Sequence, residues 1–220
     1  MLVAGVDEAG RGCVIGPLVI AGVLAEVGNL PILANLGVRD SKLLSKQKRE
    51  FLATEIVRLT EKHLIVKLKP AEIDRVVESG RKLHKLNRLE AERMADIIDA
   101  LDPEEAYVDA ADVLEERFKH QIQENVKCKA RIVSKHKADR IFTVVSAASI
   151  IAKVERDREI ALLKAQFGDF GSGYLTDPKS MAFLRQWLKT NGDYPEFVRK
   201  SWKPAKKAKN EQGSQQKTLF

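Results

Sequence analysis

The chain has 220 residues, 44% hydrophobic and 31% charged, enough for one substantial core and ordinary for a globular protein. Its formal net charge is +7, but five lysines against one glutamate between Lys203 and Phe220 carry four of those charges, so the body is only mildly basic and nucleic-acid binding is permitted without being demonstrated. Cys13 and Cys128 are too few for a disulfide framework or a cysteine zinc site, and no run approaches the roughly 18 apolar residues of a membrane span. The apolar start reaches only Val6, too short for a signal-peptide core, so a cytoplasmic protein with no membrane association is expected.

Leu2 to Val6 reads as a strand, and Val14 to Leu24, rich in Val, Ile and Leu, as further buried sheet. From Ser45 to Leu59 the pattern turns helical with Phe51, Leu52, Ile56 and Leu59 on one face, and His63 to Leu68 alternates like a strand. Pro70 to about Ser79 and Leu83 to Leu101 read as helices. Ala106 to Val108 is a short strand ending at Asp109, Leu114 to Val126 a helix, and Ala130 to Val133 another strand. Ile141 to Phe167 is the longest helical pattern; its first half, FTVVSAASIIAKV, is apolar nearly all round and should lie against the sheet. Asp177-Pro178 marks a helix start as N-cap and first helical residue, and Asn191-Gly192 marks its end. The order of elements predicts an α/β fold, one domain over 1–202 and a flexible basic tail over 203–220.

The chemistry concentrates at acids that end core elements. Asp7 and Glu8 follow the first strand, Asp109 ends AYV, and Asp139 opens the long buried helix. Successive residues on a regular strand face opposite sides, so Asp7 and Glu8 can share a site only if the strand stops there, and Ala9-Gly10 is expected to supply that stop. Two solvated acids at a turn are the plain alternative. In an α/β sheet, however, ligands bind outside the carboxyl ends of strands, where acids distant in sequence converge. Carboxylates without histidine or cysteine partners suit Mg²⁺ or Mn²⁺ rather than zinc. Asp112, Glu115 and Glu116 fall where a helix N-terminus favours acids, and are read as structural.

The blocks DEAGRG, DSK at Asp40 to Lys42, YVDAADV, SKHKAD, SAASIIAKV and GSGY at Gly171 to Tyr174, in this order, closely resemble the type 2 ribonucleases H, especially the archaeal ones, over about residues 1 to 202. The resemblance implies an RNase H-like fold, a mixed five-stranded sheet flanked by helices with a helical C-terminal part. It also implies a monomeric endonuclease that cuts the RNA strand of RNA/DNA hybrids and single ribonucleotides embedded in duplex DNA, using two Mg²⁺ or Mn²⁺ ions and leaving 5′-phosphate and 3′-hydroxyl ends. The family's four acids fall on Asp7, Glu8, Asp109 and Asp139. Its Gly-Arg-Gly segment, which reads the 2′-hydroxyl through the backbone, falls on Gly10, Arg11 and Gly12, and its sugar-packing tyrosine on Tyr174. Without the resemblance, Tyr174 is simply an aromatic after a glycine loop. Type 3 enzymes, with a long N-terminal domain and no Gly-Arg-Gly, fit less well, and a two-domain ATPase of the same fold class does not fit in 220 residues. A non-catalytic nucleic-acid-binding module leaves the four acids unexplained.

Lys42, Lys135, Lys153, Ser146 and Ser149 are candidate phosphate contacts by position, although the two serines would equally serve as small packing residues. His84 and His136 are read as structural or solvated. Cys13 and Leu175 stand where many relatives of the type 2 enzymes carry proline. The C-terminal Gln216, Leu219 and Phe220 resemble the start of the motif by which replication proteins dock on a sliding clamp, without its aromatic pair.

Overall fold

The computed structural model describes residues 1–39, 41–80 and 85–217, with side chains described as far as 210. Five strands, β1 (Leu2–Ala9), β2 (Leu18–Glu26), β3 (Lys62–Leu68), β4 (Glu105–Asp109) and β5 (Arg131–Lys135), form one sheet in the order β3-β2-β1-β4-β5. β1 pairs antiparallel with β2 and parallel with β4, and β4 pairs parallel with β5, so the sheet is mixed, as expected. Among the described residues the helices are α1 (Leu30–Asn35), α2 (Lys46–Leu59), α3 (Pro70–Glu78), α4 (Lys85–Leu101), α5 (Glu115–Gln123), α6 (Thr143–Phe167), α7 (Pro178–Asn191) and α8 (Lys203–Lys217). None is long and apolar enough to cross a membrane.

The chain divides into two compact units. The first comprises Met1–Ala9, Val19–Lys67 and Lys82–Glu155, and the second Gly10–Leu18, Leu68–Arg81 and Arg156–Phe220. In the first, one core joins Val19, Ala21 and Val23 of β2 to Leu52 and Ile56 of α2 and to the interleaved small and branched residues Ala147 to Ile151 of α6. Each fully buried Leu or Ile there contributes on the order of 1.5–3 kcal/mol. α6 lies so close to β1 that a Cβ on Gly5 would stand 2.2 Å from the Val144 carbonyl oxygen. Only glycine leaves room for that approach, and it fixes which helix residues lie beside the following part of β1.

The second unit has an aromatic core in which Phe167 and Phe197 stand with ring centroids 4.5 Å apart, and Phe170, Phe183 and Trp187 extend the cluster. α7 starts and stops as the sequence predicts: Asp177 caps it by accepting from the Lys179 N–H, Pro178 opens it, and Gly192 closes it at φ 76°.

Three expectations are corrected. β1 does not stop at the acids; it runs through Asp7 and Glu8 to Ala9, with Glu8 paired to Ile20 and Ala9 to Val19. The turn comes later, where the Cys13 N–H donates to the Gly10 carbonyl at 3.2 Å. Phe51 does not face inward: it is 52% exposed, with the Lys48 ammonium 4.9 Å from its ring, while Leu52, Ala53 and Ile56 form the buried face of α2. The segment expected to be a flexible tail is helix α8. Ala205 is fully buried and Ala208 nearly so, the Tyr194 hydroxyl donates to the Ala205 carbonyl at 3.0 Å, and Lys206 and Lys209 pair with Glu78 and Asp193. Alanines are small enough to seat a helix against an existing core without an apolar period that sequence could reveal.

Candidate active site

The acids of the first unit are placed by strand register. Val6 of β1 lies opposite Val108 of β4, so Asp7 and Asp109 are the next residues along two parallel neighbours. Strands stand about 4.8 Å apart, and opposite residues of a parallel pair project to the same face. β5 follows β4 in the same direction with Asp109 opposite Lys135, and four residues further the 3-10 turn Ala138–Arg140 carries Asp139. Three acids therefore stand at the carboxyl ends of three parallel strands. Glu8 follows Asp7 among the last residues of β1 before the turn, and one of its carboxylate oxygens is buried.

Hydrogen bonds hold this arrangement. Asp7 accepts from the Glu8 N–H at 2.7 Å and from the Ser149 hydroxyl. Ser149 and Ser41 share a buried contact of 2.9 Å; since the Ser149 proton goes to Asp7, Ser41 is the donor within that pair. Asp109 accepts from the Ala138 N–H at 3.1 Å, which ties it to the turn of Asp139, and the Ser146 hydroxyl donates to the Asp139 carbonyl at 2.5 Å. Ser146 and Ser149 are thus buried, the one bonded to the Asp139 backbone and the other to the Asp7 carboxylate. An open cavity of about 360 Å³, lined in part by Arg39, Asp139, Arg140 and Ser146, borders the turn.

The electrostatics of the cluster favour a positive partner. Asp7 is pushed up to about 8, first by burial and then by the Asp109 charge, with Asp139 adding to it and the Ser149 and Glu8 hydrogen bonds opposing. Burial also raises Asp109, against the Ala138 N–H and the positive charge of Lys42. Among the described residues no three acid, histidine or cysteine side chains form a ready-made cage. The donor set nevertheless fits a hard divalent cation: it is all oxygen, mutually repelling and relieved by positive charge. Asp112 is not part of it. It is buried and accepts from Asn87, Arg117 and the Leu114 N–H, which hold it well below the usual carboxylate range.

Of the other candidates in this unit, Lys42 is exposed on the 3-10 turn Ser41–Leu43, within electrostatic reach of Asp109. Lys135 is half-exposed and donates to Glu115 at 2.9 Å, and Lys153 lies half-buried on α6. His136 is exposed, its ring nitrogen 3.3 Å from the Val113 carbonyl. Asp40 and His84 lie outside the described residues, as do Leu219 and Phe220; Gln216 falls within α8.

The second unit gathers Gly10, Arg11, Gly12 and Tyr174. Gly10 has φ 86°, and a Cβ there would stand 2.8 Å from the Pro17 carbonyl oxygen, so the turn demands glycine. Gly12 is exposed beside the Tyr174 ring. Cys13 and Tyr174 form an antiparallel bridge, the Arg156 guanidinium lies 4.8 Å from the ring centroid, and Arg156 donates to the Cys13 sulfur at 2.9 Å and the Ser172 carbonyl at 2.5 Å. Burial, then the neighbouring Cys13, pushes the Tyr174 hydroxyl up to about 12. Leu175 packs into the aromatic core, so Tyr174 is held from both sides despite the missing proline. Sequence reasoning missed Arg156; its sign was an arginine two residues past the apolar half of α6, which ends at Val154.

The family model described as Ribonuclease HII matches residues 4–205. The chain belongs to the ribonuclease HII family. A curated ribonuclease HII of Thermococcus kodakarensis is 46% identical over 219 residues, covering 99% of this chain and 93% of that protein. The crystal structure of ribonuclease H2 from Pyrococcus horikoshii superposes with a TM-score of 0.88 at 42% identity, covering 96% of this chain and 98% of the other. The structure of the PCNA:RNase HII complex from Archaeoglobus fulgidus matches at 45% identity and a TM-score of 0.83, over 92% and 96%. The fold is RNase H-like, and membership of the ribonuclease HII family makes the protein a metal-dependent hydrolase, an endonuclease for the RNA strand of RNA/DNA hybrids.

Proposed function

We propose that this ribonuclease HII also cuts at single ribonucleotides embedded in duplex DNA, leaving 5′-phosphate and 3′-hydroxyl ends, and serves ribonucleotide excision and primer removal as a monomer in the cytoplasm. The observation that carries the reading is the convergence of Asp7, Asp109 and Asp139 at parallel strand ends, with Asp7 pushed up to about 8 by burial and its neighbours. Asp7, Glu8, Asp109 and Asp139 would hold two Mg²⁺ or Mn²⁺ ions, which when bound supply an activated water and charge stabilisation for the departing 3′ oxygen. Ser149 and the Glu8 N–H hold the Asp7 carboxylate in place, and the Ala138 N–H does the same for Asp109. Lys42, exposed and near Asp109, meets the phosphate, and Lys135 and Lys153 add positive charge in the same unit. In the second unit the Gly10-Arg11-Gly12 backbone reads the 2′-hydroxyl, and Tyr174 covers the next sugar.

Cleavage of a duplex carrying one ribonucleotide, an RNA/DNA hybrid and an all-DNA duplex, with Mg²⁺ or Mn²⁺ supplied, tests the reading. The first two are cut and the third is not; cutting of the all-DNA duplex, or an intact single-ribonucleotide duplex, defeats it. Asp7→Asn lowers cleavage by more than about 100-fold, since even the partners of a metal ligand typically cost about 10–100-fold. A sliding clamp is the further partner, favoured by the Archaeoglobus relative solved with PCNA and by Gln216, Leu219 and Phe220. Co-migration with a sliding clamp on gel filtration, lost when the last five residues are deleted, checks it.

A further inference from the structure

Arg199 lies between α7 and α8 with no exposed surface, the bulkiest fully buried side chain among the described residues. Backbone pairing sets it there: its N–H donates to the Val14 carbonyl at 2.8 Å, Val198 bridges Ile15, and Gly16 donates to the Phe197 carbonyl at 2.9 Å. Its guanidinium reaches three carbonyls of the Gly-Arg-Gly turn and its exit. Nη2 stands 2.7 Å from the Gly10 oxygen, Nη1 2.7 Å from the Arg11 oxygen, and Nε and Nη2 each 3.2 Å from the Gly16 oxygen. The Trp202 ring, 5.0 Å from the guanidinium carbon, covers it.

A trans peptide sets the carbonyl of one residue antiparallel to the N–H of the next. Two successive carbonyls, of Gly10 and Arg11, converge on one guanidinium, so the amides of Arg11 and Gly12 point to the opposite side of the turn. The planar fork thereby fixes two peptide planes at once, which a lysine ammonium, a point charge with three rotatable donors, does not. We propose that Arg199 is a positioning residue for sugar recognition: from a site remote in sequence it sets the peptide planes of Gly10-Arg11-Gly12 so that their outward amides meet the ribose oxygens of the substrate. This rests on the reading of Gly-Arg-Gly as the 2′-hydroxyl reader. A duplex with one embedded ribonucleotide offers a single such oxygen, whereas a long hybrid offers one on every residue of its RNA strand. Loss of the clamp is therefore felt most on the first substrate.

The test compares kcat and KM for the two substrates in wild type, Arg199→Lys, Gly12→Ala and Tyr194→Phe. A Cβ on Gly12 meets only the Tyr174 ring at 3.9 Å, an ordinary contact, so that variant folds and alters only the outward surface. Tyr194→Phe removes the hydrogen bond to Ala205 and serves as a stability control in the same unit. Arg199→Lys is expected to lower kcat on the single-ribonucleotide duplex at least tenfold more than on the hybrid, with KM little changed. Arg199→Ala supplied with millimolar guanidinium ion should recover part of that selectivity. An equal loss on both substrates, matching Tyr194→Phe at equal melting temperature, overturns the proposal. If Gly12→Ala shifts selectivity and Arg199→Lys does not, Arg199 alone is misassigned; if Gly12→Ala shifts nothing, the sugar-reading assignment falls as well. Should the lysine variant not fold, Arg199→Gln, still an N–H donor but not a fork, carries the same comparison.

Discussion

At the scale of single residues, the site depends on which proton goes where. Ser149 spends its proton on Asp7 and receives one from Ser41, so removing either hydroxyl loosens the acid most opposed by its neighbours. Ser149→Ala is expected to lower cleavage or metal affinity about 10–100-fold, as loss of a ligand's hydrogen-bond partner usually does. Titrating Mn²⁺ against the variant and wild type, and finding equal affinity and rate, would show that the serine only packs. The acids themselves were legible in sequence because each follows or borders a core element. The serines were legible as residues of interest, open between phosphate contact and small packing residue, and their hydroxyls bond the Asp139 backbone and the Asp7 carboxylate. Arg199 gave no sequence sign, since its acceptors are backbone carbonyls up to 189 positions away and any residue supplies a carbonyl.

At the scale of elements, α7 was the most legible because its signals are local: Asp177, Pro178 and Gly192 each act within a few residues. Its cap does more than start a helix. The Asp177 carboxylate also takes the Ser172 N–H and hydroxyl, and Ser180 joins the Gly173 N–H to the Phe170 carbonyl, so the first turn of α7 holds the loop that presents Tyr174. These bonds depress Asp177 to about 2. An acid lowered in the folded state stabilises the protein above its unfolded pKa and loses that contribution as pH falls through the folded one. Asp177→Ala therefore lowers stability at neutral pH, where the carboxylate is charged. The difference from wild type in urea melts persists at pH 5 and shrinks between about pH 4 and pH 2; a constant gap would show that the carboxylate charge is not what stabilises. The end of β1 was misread because glycine signals a turn without fixing where pairing stops, and β2 continues to pair through Ala9. α8 was missed because Ala205 and Ala208 leave no apolar stripe among lysines.

For the whole molecule, sequence anticipated the sheet and its helices but drew one body with a tail, where the chain weaves two units from three segments each. Composition could not show this, because neighbours such as Val14 and Arg199 are joined only by folding. The charge of +7 is similarly less open than it looks, since Lys206 and Lys209 of α8 are paired with acids. Binding of the Asp7→Asn protein to a ribonucleotide-containing duplex should weaken with salt, and Lys42→Ala should reduce the slope of log K against log salt by about 1. An unchanged slope would remove Lys42 from the phosphate contacts. The clamp on the Gly-Arg-Gly turn also bears on biosynthesis. Arg199 follows Gly10 by 189 positions, so a nascent chain carries its acids long before the turn can close on this guanidinium. On the proposal above, selectivity for ribose waits on residue 199, and a nascent chain that stops before it lacks the guanidinium that fixes Gly10 and Arg11.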